Sequence, residues 1–143
     1  LQGLVEKFEK AFEDFGLEKI KTVGDAIVAV AGLSSHTSSP IKSCVDCAHE
    51  IREIANSASM PWDLHLGIHS GSLVAGTIGT KTVQFDILGQ TVNVAFNICD
   101  MSEANQILIS SDAWMTARNE IKVKSIGLKR LKSGQDIEML ECV

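Results

Sequence analysis

In the stretch LEKIKTVGDAIVAVAGL, residues 17–33, Lys21 stands four residues before Asp25, and a Gly24-Asp25 pair separates two apolar-rich runs. A cation and an anion held close to a tight turn are candidates for ligand chemistry, although a turn aspartate can also serve the turn alone. Other chemistry-bearing groups are weaker. Cys44-x-x-Cys47 with His49 resembles half of a zinc site, but a structural zinc takes four ligands at tight spacing and no second pair follows. Those cysteines fall on a helical pattern and are assigned to packing. His69-Ser70-Gly71 has no nucleophile motif around it, and a hydrolase triad built on it would be arbitrary. Gly67, Gly71, Gly76 and Gly79 fit neither the Walker nor the dinucleotide-binding spacing.

The elements that must position these groups alternate in type. Leu4, Phe8, Ala11, Phe12 and Phe15 recur at helical spacing, with Gly16 as a natural stop. EKIKTV and AIVAVAGL form a hairpin turning at Gly24-Asp25. SSHTSSP is a polar loop, and IKSCVDCAHEIREIANSA an amphipathic helix with Ile41, Val45, Ala48, Ile51, Ile54 and Ala55 on one side. DLHLGIHSG alternates Leu64, Leu66 and Ile68 with His65 and His69, the pattern of a half-buried strand. SLVAGTIGTKTVQFDILG reads as two strands around a Gly-rich connection, TVNVAFNICDM as a short helix, QILIS as a strand and the last 23 residues as terminal strands. There are no internal repeats and no linker. This order predicts an α+β sandwich, with helices packed on one mostly antiparallel sheet.

Composition narrows the class. A chain of 143 residues with 45% apolar residues and two prolines has the size and make-up of one folded domain. A formal net charge of −5 gives no electrostatic reason to expect nucleic acid or an anionic membrane as partner. No apolar run approaches the roughly 18 residues of a membrane span. A ferredoxin-like RNA-binding sheet would need aromatics on adjacent strands, and the chain has no Tyr. Four cysteines without secretory context fit a reducing compartment. The start at LQGLVEKFEK, without Met or a signal-like region, predicts excision from something longer.

LEKIKTVGDAIVAVAGL, together with LHLGIHSGSLVAGTIGTKTVQFDILGQTVNVAFNICDMSEANQILIS, resembles the catalytic domain of class III nucleotide cyclases, the adenylate and guanylate cyclases. The Gly-Asp hairpin, Gly-Ile-His-Ser-Gly, Asp-Ile-Leu-Gly and Thr-Val-Asn-Val-Ala fall in family order from about residue 4 to the C-terminus. The resemblance implies a ferredoxin-like βαββαβ-type sandwich, and residues 1–143 as a single cyclase homology domain. It also implies a head-to-tail dimer whose sites draw on both subunits, a homodimer or a heterodimer with a second cyclase domain. The implied cofactors are two Mg²⁺ or Mn²⁺ ions, held by two aspartates, and the setting is the cytoplasm, where ATP is.

Residue by residue, Asp25 matches the metal aspartate of the hairpin, whose role is to help a metal acidify the ribose 3′-hydroxyl. Lys21 and Asp86 match the base-reading pair: lysine donates to an adenine ring nitrogen, and aspartate accepts from the exocyclic amine. Guanine would be repelled at that aspartate, so the pair implies ATP as substrate. Asn93 matches the asparagine that orients the ribose, and Lys132 the lysine that grips the terminal phosphates.

Three departures stand beside these matches. Where the family places an arginine against the developing charge on the α-phosphate, this chain has Asn97, which cannot make a charge-assisted bidentate contact. The family's Lys-Gly-Lys-Gly is here Lys132-Ser133-Gly134-Gln135, so only the first lysine carries over. The first-strand segment Asp-Ile-x-Gly-Phe-Thr, which brings the other metal aspartate, does not occur and is expected upstream of Leu1. The domain is therefore expected to be N-terminally incomplete, and this stretch to be inactive or weak by itself. Adenylate cyclase is the leading reading; a degenerate cyclase-like partner domain and a guanylate cyclase are the alternatives.

Overall fold

The computed structural model describes residues 2–33, 39–71, 74–78 and 84–143, with the backbone alone along 74–78 and 84–88. Residues 34–38 of the polar loop expected over 34–40, and the Gly-rich connection over 79–83, lie outside the described residues.

Helix α1 (Gln2–Asp14) lays Phe8, Ala11 and Phe12 against α2 (Pro40–Asn56), where Cys47, Ile51 and Ala55 complete a buried cluster. Helix α1 is followed by Gly16 at φ 77°, with the Gly16 N–H donating to Glu13 O, so glycine's tolerance of the left-handed region ends the helix. Helix α2 starts with Pro40 in its first turn, where a missing N–H costs nothing.

Between them, β1 (Leu17–Val23) and β2 (Ala26–Ala31) form the expected antiparallel hairpin. Of the two turn residues only Gly24 has positive φ, at 61°, as the first central position of a II′-type turn requires. The ladder is not uniform. Lys19 pairs with Ala29 but Lys21 with Val28, so Ile20 is an extra residue, a β-bulge.

Strand β3 (His65–Ile68) pairs in parallel with β6 (Gln106–Ser110), and β6 pairs antiparallel with β8 (Asp136–Cys142), which pairs with β7 (Val123–Arg130). The hairpin of β4 (Val74–Ile78) and β5 (Gln84–Leu88) and helix α3 (Gln90–Met101) lie between β3 and β6 in the chain. A short helix, α4 (Ser111–Met115), follows β6; its N-cap Ser110 is wholly buried, and the Ser110 Oγ accepts from Ala113 N.

Both faces of the four-stranded sheet are covered, as the period-two alternation of its central strands dictates. Ile107, Ile109, Leu140 and Cys142 point into a cluster with Ile41, Val45 and Ala48 of α2 and Ala113 of α4. Leu108, Ile137 and Met139 point the other way, onto Val94 and Ile98 of α3. The α+β class expected from the sequence is thus the class observed. The expected single sheet is, among the described residues, three hydrogen-bonded ladders: β1-β2, β4-β5 and the mixed β3-β6-β8-β7.

Candidate active site

The six residues singled out in the sequence lie on the β1–β2 hairpin, β5, α3 and the turn between β7 and β8. Lys21 is half-buried on β1, one position past the bulge. An inserted residue reverses the side-chain alternation of a strand, so the bulge, not the sequence pattern, decides which face of the hairpin Lys21 takes. Asp25 is exposed in the turn. Strand β1 packs beside β5, and β5 in turn touches α3. Asp86 lies on β5 opposite Gly76 of β4; its side chain falls outside what the structure describes, so only its strand is placed next to that of Lys21.

Helix α3 carries no Lys, Arg or His. Asn93, Asn97 and Asp100 recur at helical spacing and form one polar face. Asn93 is exposed, and the Asn97 amide donates from Nδ2 to the Asn93 backbone oxygen at 2.8 Å. The Asn97 amide donor is therefore turned back on its own helix.

Lys132 lies in the turn joining β7 to β8, closed by Leu131 N–H to Gln135 O and Gly134 N–H to Leu131 O. Leu131 is buried in the same cluster as Val94 and Ile98, which pins this turn to α3. The Lys132 Nζ stands 3.5 Å from Asp100 Oδ2, with the side chains 80% and 59% exposed. At that exposure the pair contributes about 0–1 kcal/mol, so it orients Lys132 without locking it. Asp100 was not singled out beforehand, yet its spacing from Asn93 and Asn97 already places it on their face.

Burial pushes the Cys99 thiol pKa up, and the carboxylates of Asp100 and Asp25 add to the rise, so Asp25 lies within electrostatic reach of the C-terminal end of α3. Asp25 is a hard oxygen donor suited to Mg²⁺ or Mn²⁺. Among the described residues of one chain, no group of three or more His, Cys, Asp or Glu is arranged to hold a metal ion.

The cysteine–histidine cluster of α2 is packing. Cys47 is 1% exposed, and Cys44 packs against the sheet-side core. Burial pushes Cys44 up to about 11, Cys47 to about 12 and Cys142 to about 11. The nucleophile is the thiolate, so at pH 8 these three are expected to alkylate at least about 10²-fold more slowly in the native protein than in denaturant. Mass-spectrometric readout of labelling over time checks this; native labelling at the rate of an unfolded thiol would contradict it.

The chain belongs to the family of adenylate and guanylate cyclase catalytic domains, which it matches over residues 1–140. It is 30% identical to the soluble guanylate cyclase gcy-31 of Caenorhabditis elegans, over 97% of this chain and 20% of that protein. It is 27% identical to an adenylate cyclase of Mycobacterium tuberculosis, over 91% of this chain and 32% of that protein. The chain thus spans a fifth of the first of these relatives and about a third of the second. Its fold superimposes on the guanylate cyclase domain of RhGC from Catenaria anguillulae, solved in complex with GTP, with a TM-score of 0.94 at 21% identity, covering 99% of this chain and 80% of that one. Relatives of both specificities occur, so the family alone does not choose between ATP and GTP. Among the described residues no helix is long and apolar enough to cross a membrane.

Proposed function

We propose that the chain is the catalytic domain of an adenylate cyclase, converting ATP to 3′,5′-cyclic AMP and pyrophosphate at a site shared between two cyclase domains. The observation that carries this reading is Lys21. It is half-buried immediately past a bulge in β1, and β1 packs beside β5, the strand of Asp86. A lysine ammonium donates to an adenine ring nitrogen, and a carboxylate accepts from the adenine exocyclic amine. Guanine offers a carbonyl oxygen at the second place and leaves the carboxylate facing another acceptor. Leaving a buried polar group so mispaired costs about 1–3 kcal/mol.

In the reaction the 3′-oxygen bonds to the α-phosphorus, the bond from that phosphorus to the bridging oxygen breaks, pyrophosphate leaves, and the 3′-hydroxyl proton is released. A divalent metal supplies acidification of that hydroxyl and neutralisation of the triphosphate, and Asp25 is the residue here that would help to hold it. Asn93, exposed on α3, is assigned to orienting the ribose. Lys132, held near α3 by Leu131 and Asp100, is assigned to the terminal phosphates. A two-fold dimer is the proposed assembly, in keeping with the resemblance to cyclase domains whose sites draw on both subunits.

A second reading is favoured by one observation, the Asn97 amide bonded to Asn93 O. A cyclase-like domain that pairs with a catalytic partner, binding nucleotide without turnover, would have no need of an arginine there.

Substrate preference separates the adenylate and guanylate readings. Lys21→Glu is expected to lower the ATP-over-GTP ratio of kcat/KM by about 10- to 100-fold, the equivalent of one mispaired buried group. An unchanged ratio in competition assays of cyclic AMP and cyclic GMP would remove Lys21 from base reading.

A further inference from the structure

The glycine at position 67 lies in the middle of β3, away from every residue assigned a role above. It is not there for backbone freedom, since its φ is not among the positive ones. It is there for space. A Cβ at Gly67 would fall 2.5 Å from Cys99 N, 2.9 Å from Cys99 Cα and 3.0 Å from Ala95 O, all backbone atoms of α3. Backbone cannot swing aside as a side-chain end can.

Three further contacts run along the same seam. A Cβ at Gly71 would fall 2.6 Å from Thr91 Oγ1. The Cys99 thiol donates to His65 O at 3.2 Å, and His65 Nδ1 donates to Ser102 O at 2.7 Å. The four contacts run β3 and the residues just after it along α3 and its C-cap Ser102 in opposite directions, from Gly71 at Thr91 to His65 at Ser102. At 100° per residue, Thr91, Ala95, Cys99 and Ser102 form one stripe of α3, whereas Asn93, Asn97 and Asp100 form the opposite one.

We infer that Gly67 is a positioning residue: the backbone contact between β3 and α3 sets where Asn93 and the face it shares with Asn97 stand in the site. This rests on the cyclase reading above. A methyl group at position 67 must push the Cys99 amide from 2.5 Å to ordinary contact near 3.4 Å, carrying the helix outward by roughly 1 Å, and a misplacement of that size costs about 10²-fold in rate. Helix α3 also touches β5 and holds the Lys132 turn through Leu131, so KM is expected to rise somewhat, but far less than kcat falls.

The test is a double-mutant cycle in the natural full-length protein, combining Gly67→Ala with Asn93→Ala and measuring kcat and KM for ATP and GTP. Gly67→Ala is expected to lower kcat about 10²-fold with KM within about threefold, and the double variant to lose little beyond the larger single loss, because both act through one residue. Multiplicative losses, or a fully active Gly67→Ala, would overturn the inference. If Gly67→Ala does not fold, His65→Leu replaces it in the cycle, with His65→Gln, which keeps a donor, as the rescuing variant. If the wild-type protein makes neither cyclic nucleotide, the cyclase reading fails by itself. The displacement is then read from Cys99, whose alkylation should accelerate at least tenfold in Gly67→Ala and in His65→Leu; unchanged Cys99 labelling in folded variants would refute it.

Discussion

Asp25→Ala is expected to abolish cyclic-nucleotide formation, lowering kcat by on the order of 10³-fold or more with little effect on the fold. The magnitude follows from the role. A metal at the reacting hydroxyl and phosphate is worth several kcal/mol of transition-state stabilisation, and each 1.36 kcal/mol is a factor of ten. The small structural cost follows from the position: Asp25 is exposed, and the turn geometry depends on Gly24. Asp25→Asn is expected to lose nearly as much, because an amide oxygen is a poor substitute for a carboxylate as a hard ligand. Steady-state rates with Mn²⁺, paired with thermal midpoints, check both variants. A variant that keeps more than a tenth of the activity would make Asp25 a turn residue and nothing more.

The second large effect runs the other way. Asn97→Arg is expected to raise kcat by on the order of 10²–10³-fold, the usual worth of one group aimed at developing charge. At present the Asn97 amide is bonded to the Asn93 backbone oxygen, and the whole of α3 lacks a basic residue. An arginine one turn beyond Asn93 would add a fixed charge and a planar pair of donors to that face. Asn97→Lys is expected to recover less, since an ammonium cannot make the bidentate contact. KM for the nucleotide should change by less than about tenfold in either variant, because the gain belongs to the transition state. No gain with arginine, in a protein that binds ATP, would favour the partner-domain reading.

How far the sequence revealed this arrangement depends on the range of the interaction. Helices α1 and α2 announce themselves through Phe8, Ala11 and Phe12 and through Ile41, Val45 and Ala48, because a helix buries a stripe set by its own period. The hairpin turn is legible in Gly24-Asp25 for the same local reason. The bulge at Ile20 is not legible. KIKTV reads as an unbroken strand, and only pairing with Ala29 and Val28 reveals the extra residue. Helix α4 was missed because five residues carry too little periodicity; its signal is Ser110 with Asp112 in the first turn. The ion pair of Lys132 with Asp100 joins residues 32 apart, and the close approach of Gly67 to Cys99 joins a strand to a helix across a hairpin. Both are products of packing. The resemblance supplied residue roles, and the fold supplies reasons for two of the positions: Lys132 through Leu131, and Lys21 through the bulge.

The proposed reaction of this domain is the formation of cyclic AMP from ATP. The most direct test is to incubate the natural full-length protein with Mn²⁺ and equal ATP and GTP and to quantify both cyclic products. Cyclic AMP in clear excess, lost in Asp25→Ala, is the predicted result. Cyclic GMP in excess, or no cyclic product while ATP binds, would contradict it.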